Sequence, residues 1–185
     1  MVWVIKRLTV RRAPLALLVC MVLHATQMVP LSVEDLTKEA ELIVRATVRE
    51  TTCLRDATGL LRTRVTLDVR DAWKGQEITS PLNVMLVGGT LGERRVVAVG
   101  QATYRPGEET VLFLRHNSSG EWVTLGLAQG KFEVWQDSVT GQKYARNLFL
   151  GQGATATPNA ALQRAGGTSP LSLEELQRKA GGGLK

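Results

Sequence analysis

The sequence predicts a mainly β protein, a small antiparallel barrel or sandwich with one short helix leading in and another near the end of the chain. Three observations carry this. Apolar and polar residues alternate with period two through most of residues 40–137, the pattern of strands with one buried and one wet face. Turn-forming clusters such as RDATG, RPGEE, NSSG and DSVTG separate the alternating runs. The two helix-start signals, PLSVEDL at 30–36 and PLSLEEL at 170–176, lie outside those runs.

Each helix start is a local solution to the same problem. Ser32 and Ser172 are placed as N-caps, with Asp35 and Glu175 three residues on as in a capping box. Two acids in each first turn suit the helix dipole. Leu31 and Leu171 stand where a hydrophobic staple would sit, and Pro30 and Pro170 exclude helix upstream. Nothing else between the segments repeats, so this is not a domain duplication. The second helix, about ten residues long, is marginal alone and needs something to hold it.

Leu42, Val44, Ala46 and Val48 point one way in the first strand, and Arg45, Thr47 and Arg49 the other. Leu61, Thr63, Val65, Leu67 and Val69 then alternate with Arg62, Arg64, Thr66, Asp68 and Arg70. The RDATG turn at 55–59 makes these two strands antiparallel neighbours. PLNVMLV (81–87) and RRVVAV (94–99) are expected as the third and fourth strands, ended by Gly88–Gly89 and by Gly100. TVLFLRH (110–116) is apolar on both sides, as a central strand is. EWVTLGL, KFEVWQD and QKYARN complete seven or eight strands.

Residues 1–28 read as a secretory signal peptide: a basic start with Lys6, Arg7, Arg11 and Arg12, an apolar core, and a small-residue exit near Ala25. Cleavage is expected between Ala25 and Met28. The apolar run from Ala13 to Val22 is shorter than the roughly 20 residues that span a bilayer, so no stable membrane span is expected. A lipoprotein site at Cys20 is disfavoured by Val19, where a small residue is needed. The expected organisation is then a β-barrel domain at 30–150, a flexible linker at 151–169 rich in Gly, Ala, Thr and Pro, and a short C-terminal helix at 170–182. The expected location is secreted or periplasmic.

The targeting segment distorts the charge balance. Four of the 23 basic residues and none of the 17 acidic ones precede residue 26, which leaves 19 against 17. A mature chain so near neutrality gives no support for nucleic-acid binding. One cysteine, Cys53, survives cleavage, so the domain is held by its core rather than by disulfides.

No catalytic, cofactor or metal signature emerges. His116 is the mature chain's single histidine, and one His with one Cys does not make a zinc site. Ser118 or Ser119 beside His116 lacks a nucleophile elbow. Cys53 paired with His116 would be a reactive thiol; a small buried apolar residue is the simpler account. GKF at 130–132 opens a strand rather than a phosphate-binding helix, so the glycines of VGGTLGE and GLAQGKFEV serve bulges and corners. NSS at 117–119 matches a glycosylation acceptor but sits in a tight turn. Trp73, Trp122 and Trp135 are dispersed and read as core or corner anchors. Arg45, Arg49, Arg62, Arg64 and Arg70 are expected to share the outer face of the first hairpin, either as a contact surface for an acidic partner or as a charged face that suppresses edge-to-edge association.

LTKEAELIVRATVRE, TRVTLDVRDAWKG and YRPGEETVLFL together resemble the netrin-like domains, which include the tissue inhibitors of metalloproteinases. The matching residues are Ala40–Val48, Lys74–Gly75 and Gly107–Phe113. The chain also resembles a set of bacterial exported proteins with the same GEE-V-LFL … GLAQGKF-V layout. The resemblance covers about half the chain and implies a five-stranded barrel of the oligonucleotide/oligosaccharide-binding type with Greek-key closure. The inhibitors chelate zinc through an N-terminal cysteine, and this chain has none at its expected mature terminus, so only the barrel carries over. The expected function is a non-enzymatic exported module that binds a protein or extracellular polymer. Its contacts are expected at Gly88–Glu93, at Gly100–Pro106 and on the basic hairpin face. A peptidase inhibitor acting by loop insertion and a hydrolase with a dispersed site are the alternatives.

Overall fold

Ser32 starts helix α1 (Val33–Glu39) with the full reciprocal cap. Its Oγ accepts the Asp35 amide at 3.0 Å, and the Asp35 carboxylate accepts the Ser32 amide at 3.2 Å. A computed structural model describes residues 30–76, 80–147 and 171–181. The expected signal segment at 1–28 and the linker at 151–169 lie outside the described residues.

The chain then forms β1 (Leu42–Arg55), β2 (Leu61–Lys74), β3 (Leu82–Val87), β4 (Gly89–Leu91), β5 (Arg94–Val96), β6 (Glu109–His116), β7 (Trp122–Thr124), β8 (Lys131–Gln136), β9 (Lys143–Arg146) and β10 (Leu171–Ser172). Helix α2 (Leu173–Lys179) follows directly. The protein is mainly β, the strands are antiparallel, and both helices are short, as the sequence predicts. All the expected turns form. In the first, Asp56 Oδ1 accepts the amides of Thr58 and Leu60, and Gly59 takes φ 84.

The main sheet runs β10-β9-β8-β6-β1-β2-β3, with β7 also paired to β6. One edge of β6 therefore takes β8 along its first half and β7 along its second. Three register shifts bend β1, at Ile43/Val44, Arg45/Ala46 and Val48/Glu50. The first leaves Trp73 without a paired residue on β1, and its indole turns into the helix-side core.

The central strands are apolar on both faces because each face has its own core. On the inner face of the curved sheet, Leu42, Val44, Ala46 and Val48 meet Val65, Leu67, Leu82, Val84, Leu86, Leu112 and Leu114. On the outer face, Ile43, Val111, Phe113, Phe132 and Ala145 pack with Leu36 of α1 and with Leu173 and Leu176 of α2. α2 is thus held by this domain. Leu31 and Leu171, the two staple positions, both pack against the helix-side core.

Three expectations need correction. Among the described residues the sheet is not closed into a barrel. β3 and β7 approach each other, but no ladder joins them. β7 is only three residues long, too short to complete a seam, and the Arg62–Glu121 ion pair at 2.5 Å bridges that side instead. RRVVAV is not a strand of the main sheet; only Arg94–Val96 is extended, in a separate two-stranded hairpin with β4. With apolar residues at both parities it has no single face to bury. Finally, the C-terminal element is not helix alone, since Leu171 and Ser172 first add to β9 as a strand.

Candidate protein-interaction surface

Six of the eight large apolar side chains exposed among the described residues lie near one corner of the molecule: Leu60, Val87, Leu91, Val96, Val97 and Val99. The corner is assembled by backbone contacts. The Gly88 amide donates to Leu61 O at 2.9 Å, which sets the end of β3 beside the β1–β2 turn and Leu60. Gly88 lies so close to Val96 that a Cβ there would stand 2.5 Å from Val96 O. Gly89 (φ 142) lies against Cys53, where a Cβ would come within 2.6 Å of Sγ. These glycines let the chain turn off the main sheet into the β4–β5 hairpin.

Every residue from Thr90 to Val97 is exposed. Val97 is 67% and Val99 90% accessible, so this is apolar surface given up to water rather than the edge of a core. Arg94 and Arg95 stand within it and have no ion-pair partner among the described residues.

The five arginines of the expected basic face are not alike. Arg45 is held between Glu109 at 2.5 Å and Asp71 at 3.2 Å. Arg49 pairs with Asp68 and Arg62 with Glu121. Arg70 donates to Thr47 Oγ1 at 2.9 Å. Arg64 is exposed, opposite Thr52 on β1 and Met85 on β3. Three of the five thus spend their charge on carboxylates of the sheet or of the turn before β7, a pairing that sequence alternation alone does not reveal.

His116 and Cys53 have separate neighbours. The imidazole stacks on Trp122 with ring centroids 3.7 Å apart, and its Nδ1 lies 2.7 Å from Glu41 Oε2. That hydrogen bond holds the Glu41 carboxyl below its ordinary range. Among the described residues neither Ser118 nor Ser119 hydrogen-bonds the ring, and the Cys53 thiol lies by Gly89 and Thr63. Trp73 is a core anchor, while Trp135 stacks on Tyr144 with Arg146 over its ring.

A second polar cluster lies under the Gly100–Pro106 segment. Lys131 is buried, 2.5 Å from Glu108 and 3.7 Å from Glu133, and also donates to Thr103 O. The Glu108 contact is an ion pair at an angle outside hydrogen-bond geometry. Its Nζ lies 4.7 Å from the Tyr104 ring centroid. Part of Tyr104 is exposed, but its hydroxyl is 2.6 Å from buried Thr124, and burial pushes the phenol pKa up. The contacts are internal, so this cluster fastens the segment to the sheet. No group of metal-ligating side chains occurs among the described residues, and no described helix is long and apolar enough to cross a membrane.

Fold and surface together define an antiparallel β domain with two helices docked on one face and an apolar, basic hairpin projecting from a corner. No protein-family model matches the chain, and no curated protein matches it.

Proposed function

We propose that this chain is an exported, non-enzymatic β module of netrin-like descent that binds a protein partner through the corner built by Leu60, Val87 and the β4–β5 hairpin. One observation carries the reading: the exposed aliphatic side chains are concentrated at that corner, next to Arg94 and Arg95, which have no ion-pair partner among the described residues. Apolar side chains gathered in one exposed region are costly unless a partner covers them, because each exposed aliphatic side chain forgoes roughly 1.5–3 kcal/mol of burial. The basic N-terminal and apolar segment at 1–28 supports export, and the bent β1 with its flanking strands supports the netrin-like reading.

The test uses the mature chain as bait in the culture fluid of its own host, with a photo-crosslinker at Val97. Adducts mapping to one protein, lost in Leu91→Ser/Val96→Ser and retained in Arg49→Ser, are the expected result. Equal capture by the hairpin variant would move the interface elsewhere. Turnover of an ester or peptide substrate, abolished by His116→Ala, would replace the reading with a hydrolase.

A further inference from the structure

We infer that the partner contributes an extended segment in which adjacent apolar residues are followed by two adjacent acidic ones, which adds as a third, antiparallel strand to the free edge of β5. This rests on the corner being the binding surface and names the kind of ligand it takes.

The first ground is the edge itself. β4 and β5 form a sheet of only two strands, paired Gly89 with Val96, Thr90 with Arg95 and Leu91 with Arg94. In an antiparallel ladder alternate residues aim their amide and carbonyl away from the neighbour, so β5 offers backbone bonding groups on the side opposite β4. An isolated two-stranded hairpin is marginal in water and gains from a further strand. Strand addition takes affinity from those backbone groups and specificity from alternate side chains.

The second ground is what flanks the edge. Arg94 and Val96 share one face of β5 and Arg95 takes the other, with the exposed Val97 next in the chain. An incoming strand therefore meets a cation on each face, at Arg94 and Arg95, and then the aliphatics Val96 and Val97. Opposite charges across a strand pair stabilise it and like charges oppose it. A second copy of this hairpin would bring two further arginines and no acid of β5 to the same edge. A bilayer is disfavoured by the tip, where Glu93 would lead the hairpin into lipid. An antiparallel strand in which apolar residues precede two adjacent acids sets an acid opposite each of Arg94 and Arg95 and an aliphatic opposite Val96.

The probe is a labelled nine-residue peptide with two valines followed by two glutamates at its centre and threonine elsewhere, titrated by anisotropy against the mature chain. Two companions accompany it, one with lysine for glutamate and one N-methylated at alternate backbone amides. The glutamate peptide is expected to bind about tenfold or more tighter than either companion. Arg94→Glu/Arg95→Glu, exposed positions whose change leaves the melting temperature unmoved, is expected to reverse the preference to the lysine peptide. Equal binding of the N-methylated peptide would mean charge attraction without strand addition and would overturn the inference. So would binding only to vesicles containing phosphatidylglycerol, or self-association in sedimentation. If the natural partner is captured through Val97 while no peptide binds, strand addition fails and the corner remains the interface.

Discussion

Lys131 Nζ stands 2.5 Å from Glu108 Oε1, joining the first residue of β8 to the turn that precedes β6. The lysine side chain is 6% accessible and the glutamate 16%, so Glu108 depends on Lys131 for compensation, while Lys131 also has Glu133 at 3.7 Å. Removing one partner of a buried pair leaves an uncompensated charge, which typically costs about 3–5 kcal/mol. Lys131→Ala is expected to lower unfolding free energy by about that amount in urea titration. Lys131→Met with Glu108→Gln should cost clearly less than the sum of the single changes, since it removes both charges and keeps the volume. Strict additivity would show that the pair does not couple.

Gly89 is the pivot of the projecting hairpin. Its φ of 142 is one that side-chain-bearing residues rarely adopt, and a Cβ would press on the Cys53 thiol and Thr63. Gly89→Ala should therefore destabilise the domain by about 1–3 kcal/mol and raise the reactivity of Cys53 toward a maleimide. Cys53→Ala in the same chain should recover part of the loss. Unchanged stability and thiol reactivity would place the hairpin differently.

The C-terminal helix is seven residues long and has no prospect of standing alone. Leu176 is fully buried in the helix-side core, and Lys179 reaches Glu34 of α1 at 3.2 Å. Leu176→Ala is expected to cost about 2–5 kcal/mol. It should also deprotect the amides of α2 and β10 in hydrogen exchange ahead of those of β1 and β6. Lys179→Ala, an exposed pair, should cost less than about 1 kcal/mol.

Acid should weaken the sheet through Glu109. Burial opposes ionisation of this carboxyl, but hydrogen bonds from Lys143 and Arg45, with their charges, outweigh it and hold its pKa below the ordinary 4.5. A carboxyl depressed in the folded chain adds stability that is fully present above its unfolded value. That stability is lost as pH falls through the lower, folded one. Stability is thus expected to be flat near neutrality in this contribution and to fall below about pH 4.5, and Glu109→Gln should shrink the fall. A pH profile of the melting temperature identical in Glu109→Gln and the parent would remove Glu109 from the account.

The alternation from Leu61 to Val69 and the double apolarity of Thr110–Leu114 determined where β2 and β6 run and which strand is central, because burial parity is written residue by residue. The caps at Ser32 and Ser172 were equally legible, since a cap involves only neighbours. The apolar residues of RRVVAV gave the opposite impression: they read as a strand of the main sheet, although every one from Arg94 to Val97 is exposed. The arginine stripe was visible as a period, but its cancellation by Asp71, Asp68, Glu109 and Glu121 was not. Periodicity says which residues share a face and nothing about what lies opposite them.

Taken alone, then, the sequence settled the mainly β class, the positions of the main-sheet strands from β1 to β3 and from β6 to β9, the turns between them, and both helix starts. The tertiary structure decided that the two echoing helices share one core, that the seam between β3 and β7 carries no ladder, and that the β4–β5 hairpin stands clear. The division follows the range of the forces. Alternation, capping and turn geometry act over a few residues, whereas pairing, closure and docking depend on contacts between residues far apart in the chain.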